Sequence, residues 1–389
     1  MRIKRISIGI ILVIIIFVIG YNFGINRTGY FKNMIESSQE HHSPPSVVIE
    51  PGSAVETASY VIFHDDETPK NYYAKDGDTG EIEFSGPNFI EDVIDNIIAP
   101  NRRIYIKAGT YYAEKSLRVY DVNYLEITCE SGCWITTKNS SAVLLYIIGS
   151  NWNSFTFNKM SRPGSHTAPF ILLEDDLTAG SCSQNTIQIY DLWSTPDPQM
   201  AAFHVKSTTS YGVYRNTIMN SYATRVKTGI LLENSGSGWI NGNNFYNIWL
   251  GACKAGVKFK KNGGEISTNT FMDILMQTAN DITEIGYMDI AGSRNVFINC
   301  KAWDLSGSMR SANITSQAYD TIIIGGIFTN YNFVDNGHGT TIIDQWNTKL
   351  SFDYNDFIRY DKSNNRYLFY IGGNIVGYVD NSGFHNLAP

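Results

Sequence analysis

The sequence predicts an all-β chain wound as a parallel β-solenoid, and three observations carry that expectation. A short template, Asn-x-apolar-x-(apolar or Asn), recurs at nearly regular intervals. The chain holds 33 Gly beside about three dozen Asn, residues that many tight turns consume. Charged residues make up only 17% of it, below the roughly 25% usual in soluble domains, which disfavours long helices rich in Glu and Lys. With 43% apolar residues, 389 positions suffice for a large packed core. The net charge of −7 leaves no basic face able to neutralise many phosphates, so nucleic acid is not an expected partner.

The N-terminus sets the compartment. Arg2, Lys4 and Arg5 precede an apolar run over residues 6–25, long enough as a helix to cross about 30 Å of hydrocarbon. No small-x-small cleavage site follows. The run therefore reads as a transmembrane signal anchor with residues 1–5 cytoplasmic; the alternative is a signal peptide whose removal makes the rest secreted. Either way the remaining chain is exported. Residues 26–58 are polar, without sustained period, and read as a stalk.

An N-terminal cap is expected over 59–110. Strand-like pieces at Tyr60 to Phe63, Tyr72 to Lys75 and Glu81 to Phe84 are separated by Asp/Gly turns. Pro87 then opens a helix to Ala99 whose apolar residues Ile90, Val93, Ile94 and Ile97 lie on one face. Pro100 ends it, and the strand Arg103 to Ile106 follows.

The template begins at Asn123, Asn153, Asn185, Asn216, Asn243, Asn269 and Asn295, with a weaker copy at Asp320, at intervals of 30, 32, 31, 27, 26, 26 and 25 residues. Such a period, with no helical stretch between copies, means about eight recognisable solenoid coils over 111–350, each needing its neighbours to bury its apolar face. Four positions on, Asn220, Asn247, Asp273 and Asn299 form a column suited to stacked amides. Fifteen positions on, Lys258, Glu284, Arg310 and Asp335 alternate in sign, which reads as a solvent-facing ion-pair ladder or as a charged substrate groove. Tyr222 and Trp249 share one column, Trp193 and Trp303 another; facing outward, they would make a ribbon on which sugar rings stack. The other reading places them over the next coil or under a loop.

Among five cysteines, Cys129 and Cys133 could close a small disulfide across a turn in an exported chain, or stay as buried thiols. A single C-x3-C offers too few ligands for a metal site. Sequons stand at Asn26, Asn139 and Asn313. The segment 351–389 carries hairpin signals at Asp361 to Asn365, Gly372 to Asn374 and Asp380 to Gly383; a C-terminal β-hairpin cap could seal the last coil or support a homotrimer.

The helix, the strand with its turn Lys107-Ala108-Gly109-Thr110-Tyr111, and the Asn-rich coils resemble the right-handed parallel β-helix proteins of the pectate-lyase superfamily, in its tailspike-like branch, over roughly residues 80 to 345. In that branch a helix caps the open end before a Pro-x-Gly-x-Tyr turn; Lys107 stands at the proline position, and Asp76 to Gly80 is a degraded form of the acidic segment preceding the helix. The resemblance implies a right-handed parallel β-helix that engages polysaccharide. Members include lyases, hydrolases and non-enzymatic surface proteins, so fold alone does not choose. The polygalacturonase-like Gly-His-Gly appears as Gly337 to Gly339, but the branch's paired aspartates are not one and two coils earlier, and the triplet reads as a turn. A lyase would need a basic residue facing carboxylates that hold Ca²⁺; Glu284, Arg310 and Asp335, with Asp304 near, supply the residue types. Two functions compete: a non-catalytic, membrane-anchored adhesin or cell-envelope protein holding polysaccharide, and a polysaccharide lyase or glycoside hydrolase.

Overall fold

A computed structural model of the chain describes residues 58–67, 70–162, 166–194, 201–278, 288–303, 312–326 and 333–344, with further strands between Lys349 and Asn386. The expected anchor over 6–25 and the stalk up to residue 57 lie outside the described residues. Among those described, no helix is long and apolar enough to cross a membrane.

Parallel strands stack coil on coil into a β-solenoid of about seven turns. One sheet runs from Glu126–Cys129 through Ser154–Arg162, Thr186–Ser194, Thr217–Thr224, Asn244–Cys253 and Thr270–Thr278 to Ile322–Ile324. The other runs from Arg118–Tyr120 through Ile171–Glu174, Ala201–Ser207, Thr228–Asn234 and Ala255–Lys261 to Ala312–Tyr319. Alternation along each strand turns apolar residues inward. The column Ile127, Phe155, Ile187, Ile218, Phe245, Phe271, Phe297, Ile323 is buried throughout. Phe245, Phe271 and Phe297 stack with centroids 4.8 and 4.7 Å apart and planes within 6° of parallel, so each coil supplies the apolar cover its neighbour lacks.

One corner repeats the same device in every coil. Trp152, Gln184, Arg215, Gly242, Thr268 and Arg294 all take positive φ, which reverses the chain in a single residue. The residue after each is Asn153, Asn185, Asn216, Asn243, Asn269 and Asn295, all buried. From Asn153 to Asn269, each Nδ2 donates to the next coil's Asn Oδ1 at 2.9–3.0 Å, and the backbone N–H bonds to the same oxygen. The leading Asn themselves are thus the amide ladder. The column four positions on is a weaker, exposed version, in which Asn247 donates to Asn220 and Asn299 to Asp273. Two template copies are shifted: register places Leu125, not Asn123, at the ladder position, and Thr321 rather than Asp320.

The cap is an antiparallel meander of Tyr60–His64, Asn71–Asp76 and Ile82–Pro87, and its first strand pairs in parallel with Arg103–Ile106. The helix, α1, is shorter than expected, Glu91–Ile94, since Pro87 belongs to a strand and Asn88 breaks the chain direction at φ +72°. Its apolar face, Ile90, Val93, Ile94 and Ile97, is nevertheless buried. In the strand Gly109–Ala113, Tyr111 is buried and its hydroxyl donates to the Lys107 carbonyl at 2.9 Å. Gly109 sits at φ +144° against His64, where a Cβ would lie 2.2 Å from Nε2. At the far end the pairing changes from parallel to antiparallel between Thr341–Asp344 and Lys349–Asp353, and antiparallel strands continue to Gly383–Asn386. The Cys129–Cys133 disulfide is formed, and Cys182 and Cys253 are buried thiols.

Candidate functional site

The outer face of the first sheet carries a ribbon of large side chains. Trp134, Lys159 and Asp191 follow one another in register; Leu192 pairs with Ala223, which sets Tyr222 next in the same column, and Trp249, Leu275 and Lys301 continue it. Tyr222 and Trp249 are 37% and 44% exposed and meet edge to face, with ring centroids 5.2 Å apart. Both therefore face solvent, as the ribbon reading requires. Gly251 makes room for the Tyr222 phenol, whose oxygen lies 3.1 Å from where a Cβ would stand. Upstream, Lys159 Nζ sits 4.6 Å over the Trp134 ring and 3.7 Å from Asp191. Burial pushes the Asp191 carboxyl up, and Lys159 opposes that. Trp193 and Trp303 do share the adjacent column, but Thr224, Gly251 and Gln277 lie between them, about 19 Å of stacked coils. Trp193 is half-buried.

The two described members of the charged column drawn from sequence, Lys258 and Asp335, do not share a column of the solenoid. Lys258 pairs with Leu231 and Asp289, and Asp335 pairs with Ile314. Glu284, Arg310 and Asp304 lie outside the described residues. Asp335 is occupied by a turn: its Oδ1 accepts from the Gly337 N–H at 2.9 Å and from Thr340 Oγ1 at 3.1 Å, which fixes Gly337-His338-Gly339. An alternating ladder exists elsewhere, on the second sheet, as Glu174, Lys206, Glu233 and Lys260 in register. Lys206 Nζ lies 2.7 Å from Glu174, and Lys260 Nζ 3.1 Å from Glu233. His204 Nε2 stands 3.5 Å from Glu233 Oε2; His204 and then Lys260 hold the Glu233 carboxyl down to about 2, against burial. Asp175 is consumed by Ser207, Thr208 and Thr209, and Asp176 by a turn and Tyr120. Among the described residues no group of three or more His, Cys, Asp or Glu is placed to hold a metal ion.

A second surface was not foreseen from sequence. Tyr124 and Trp152 occupy the positive-φ corner of successive coils, 58% and 50% exposed, and stack with centroids 6.2 Å apart and planes 13° from parallel. They border a shallow groove of 440 Å³ that also takes in Asn123, Asn151, Gln184, Tyr211 and Tyr214. The signal was partial: Trp152 precedes a ladder Asn, whereas Tyr124 precedes Leu125. Aligning Asn123 with Asn153 put the two rings in different columns. No protein-family model matches this chain, and no curated protein matches it in sequence.

Proposed function

We propose that this chain is an exported, membrane-anchored β-solenoid that holds polysaccharide along its aromatic face without cleaving it, as a surface adhesin or cell-envelope protein akin to the non-enzymatic members of the pectate-lyase superfamily. The observation that carries this reading is the exposed Tyr222–Trp249 pair, seated in a ribbon with Trp134, Lys159 and Asp191. Flat rings on a rigid sheet meet the C–H faces of sugars, while flanking charges and amides meet their hydroxyl or acidic groups. The Cys129–Cys133 disulfide suits an oxidising compartment, and the basic flank with its apolar run suits an anchor. The carboxylates Glu174, Asp175, Glu233 and Asp335 are already engaged by structural partners, which favours binding over acid–base chemistry.

The test is a polysaccharide panel presented to the full chain in detergent micelles, reading binding by calorimetry and turnover by reducing ends and unsaturated products. Retention without product is the expected result, with affinity reduced roughly tenfold by Tyr222→Ala together with Trp249→Ala. Product formation, abolished by Arg310→Ala or Glu284→Ala at unchanged melting temperature, would establish the lyase or hydrolase reading instead.

A further inference from the structure

The groove beside Tyr124 and Trp152 lies at the corner between the sheets, apart from the aromatic ribbon. Tyr124, Trp152, Gln184, Arg215, Gly242, Thr268, Arg294 and Asp320 occupy one corner column, all at positive φ. The fold therefore asks that position only for a residue tolerating the left-handed region, which Gly or Asn meets at least cost. Two consecutive coils put exposed aromatic rings there, where the coils that follow carry Gln, Arg, Gly, Thr, Arg and Asp.

The platform is rigid. The Tyr124 N–H donates to the Asn151 carbonyl and the Trp152 N–H to the Ser183 carbonyl, at 3.2 and 3.1 Å. Asn123 Oδ1 accepts from the Asn151 N–H at 2.9 Å, and Asn151 Oδ1 accepts from Ser183 Oγ at 2.6 Å. These bonds aim both side-chain amides yet leave their Nδ2 donors, and the whole Gln184 amide, without a protein partner among the described residues. Tyr211 and Tyr214 also line it. Among the described residues, no Lys, Arg, His, Asp or Glu lines the groove. That contrasts with the ribbon, where Lys159 and Asp191 stand between the aromatics.

From this lining we infer that the groove is a second binding site, specific for a neutral pyranose unit of a glycan. Parallel rings take the apolar face of the sugar, and amides and hydroxyls take its hydroxyl groups. Nothing in the groove matches the charge of a uronate, so acidic polysaccharide is disfavoured here. The site extends the polysaccharide reading but stands on different residues, so either can fail alone.

The experiment titrates the full chain, in detergent micelles, with cellohexaose, mannohexaose and a galacturonate hexamer, following tryptophan fluorescence and calorimetric heat. Trp152→Gly is the decisive variant, because glycine suits φ +62° and the fold is retained. Binding of a neutral hexamer that weakens roughly tenfold or more in Trp152→Gly, at unchanged melting temperature and with Trp249→Ala unaffected, is the expected result. Three outcomes overturn the proposal: neither neutral hexamer binds, the galacturonate hexamer binds more tightly at this site, or Trp152→Gly binds as the unaltered chain does. Neutral binding lost in Trp249→Ala but kept in Trp152→Gly would reject the groove while leaving the ribbon reading intact.

Discussion

Asn216 is joined to Asn243 twice: its Nδ2 and its backbone N–H both donate to Asn243 Oδ1, each at 3.0 Å. Its own Oδ1 accepts the equivalent pair from Asn185, and its Nδ2 also reaches the Cys182 carbonyl. One buried amide therefore ties three coils.

Asn216→Ala should be severely destabilising. It removes the two bonds that Nδ2 donates and the two that Oδ1 accepts, keeping only the backbone N–H bond to Asn243, and strands buried partners that have no water to turn to, at a cost of about 3 kcal/mol or more. Asn220→Gly is the contrasting substitution: the residue is exposed, at φ +48°, and glycine should change stability by less than about 1 kcal/mol. Thermal melts of the two variants check both; equal losses would remove the ladder's claim to hold the stack.

Glu233 sets an acid limit on the second sheet. Its folded carboxyl is held at about 2, below the ordinary 4.5, so its contribution is fully present above pH 4.5 and is lost as pH falls through about 2. After solvent screening that contribution is on the order of 1 kcal/mol. Glu233→Gln should flatten the stability profile across this window and leave little change between variant and unaltered protein at the acid end.

Glu91 behaves in the opposite sense. Burial raises its carboxyl, though Oε1 accepts the Glu114 and Lys115 N–H groups at 2.7 Å each. A raised acid favours the fold while protonated, so this stability is present below pH 4.5 and fades as pH rises through the folded value. Its Oε2 is buried without a hydrogen-bond partner. Glu91→Gln, which keeps one acceptor and carries no charge, should therefore be neutral or stabilising at pH 8, whereas Glu91→Ala should cost about 2 kcal/mol by abandoning two N–H groups. Urea titrations at pH 4 and pH 8 distinguish the cases.

Cys182 and Cys253 should be chemically silent in the native protein. Both are fully buried, and burial pushes their thiols up to about 12, so almost no thiolate exists at neutral pH. A thiol reagent should modify them only on unfolding, and fast labelling at pH 7.5 would contradict the packed core around them.

The solenoid was legible because from Asn153 to Asn295 each coil turns at the same one-residue corner and places an Asn directly after it, at separations of 26 to 32 residues. Counting failed where it crossed a side of the coil whose length varies. Lys258 pairs with Asp289, 31 residues on rather than 26, so a fixed offset from the Asn corner led to Glu284 instead. The Tyr222–Trp249 pair was recovered because each ring sits six residues past its ladder Asn, within one strand register. The Tyr124–Trp152 stack was hidden because the coil before Asn153 has Leu125 in place of its amide, so the ladder gives no mark there.

The coils that begin at Asn243 and Asn269 are of one length, and Phe245, Phe271 and Phe297 superpose along the axis almost without rotation. Along the Asn and Phe columns such a unit has interchangeable ends: what it offers to the coil above is what it accepts from the coil below. The distance separating the Tyr222–Trp249 pair from the C-terminal antiparallel strands is consequently set by a whole number of copies. Duplication or loss of one 26-residue segment would move that end of the molecule by a single fixed step of about 4.8 Å and keep the Asn and Phe columns in register. Reach, in such a chain, is inherited as a count.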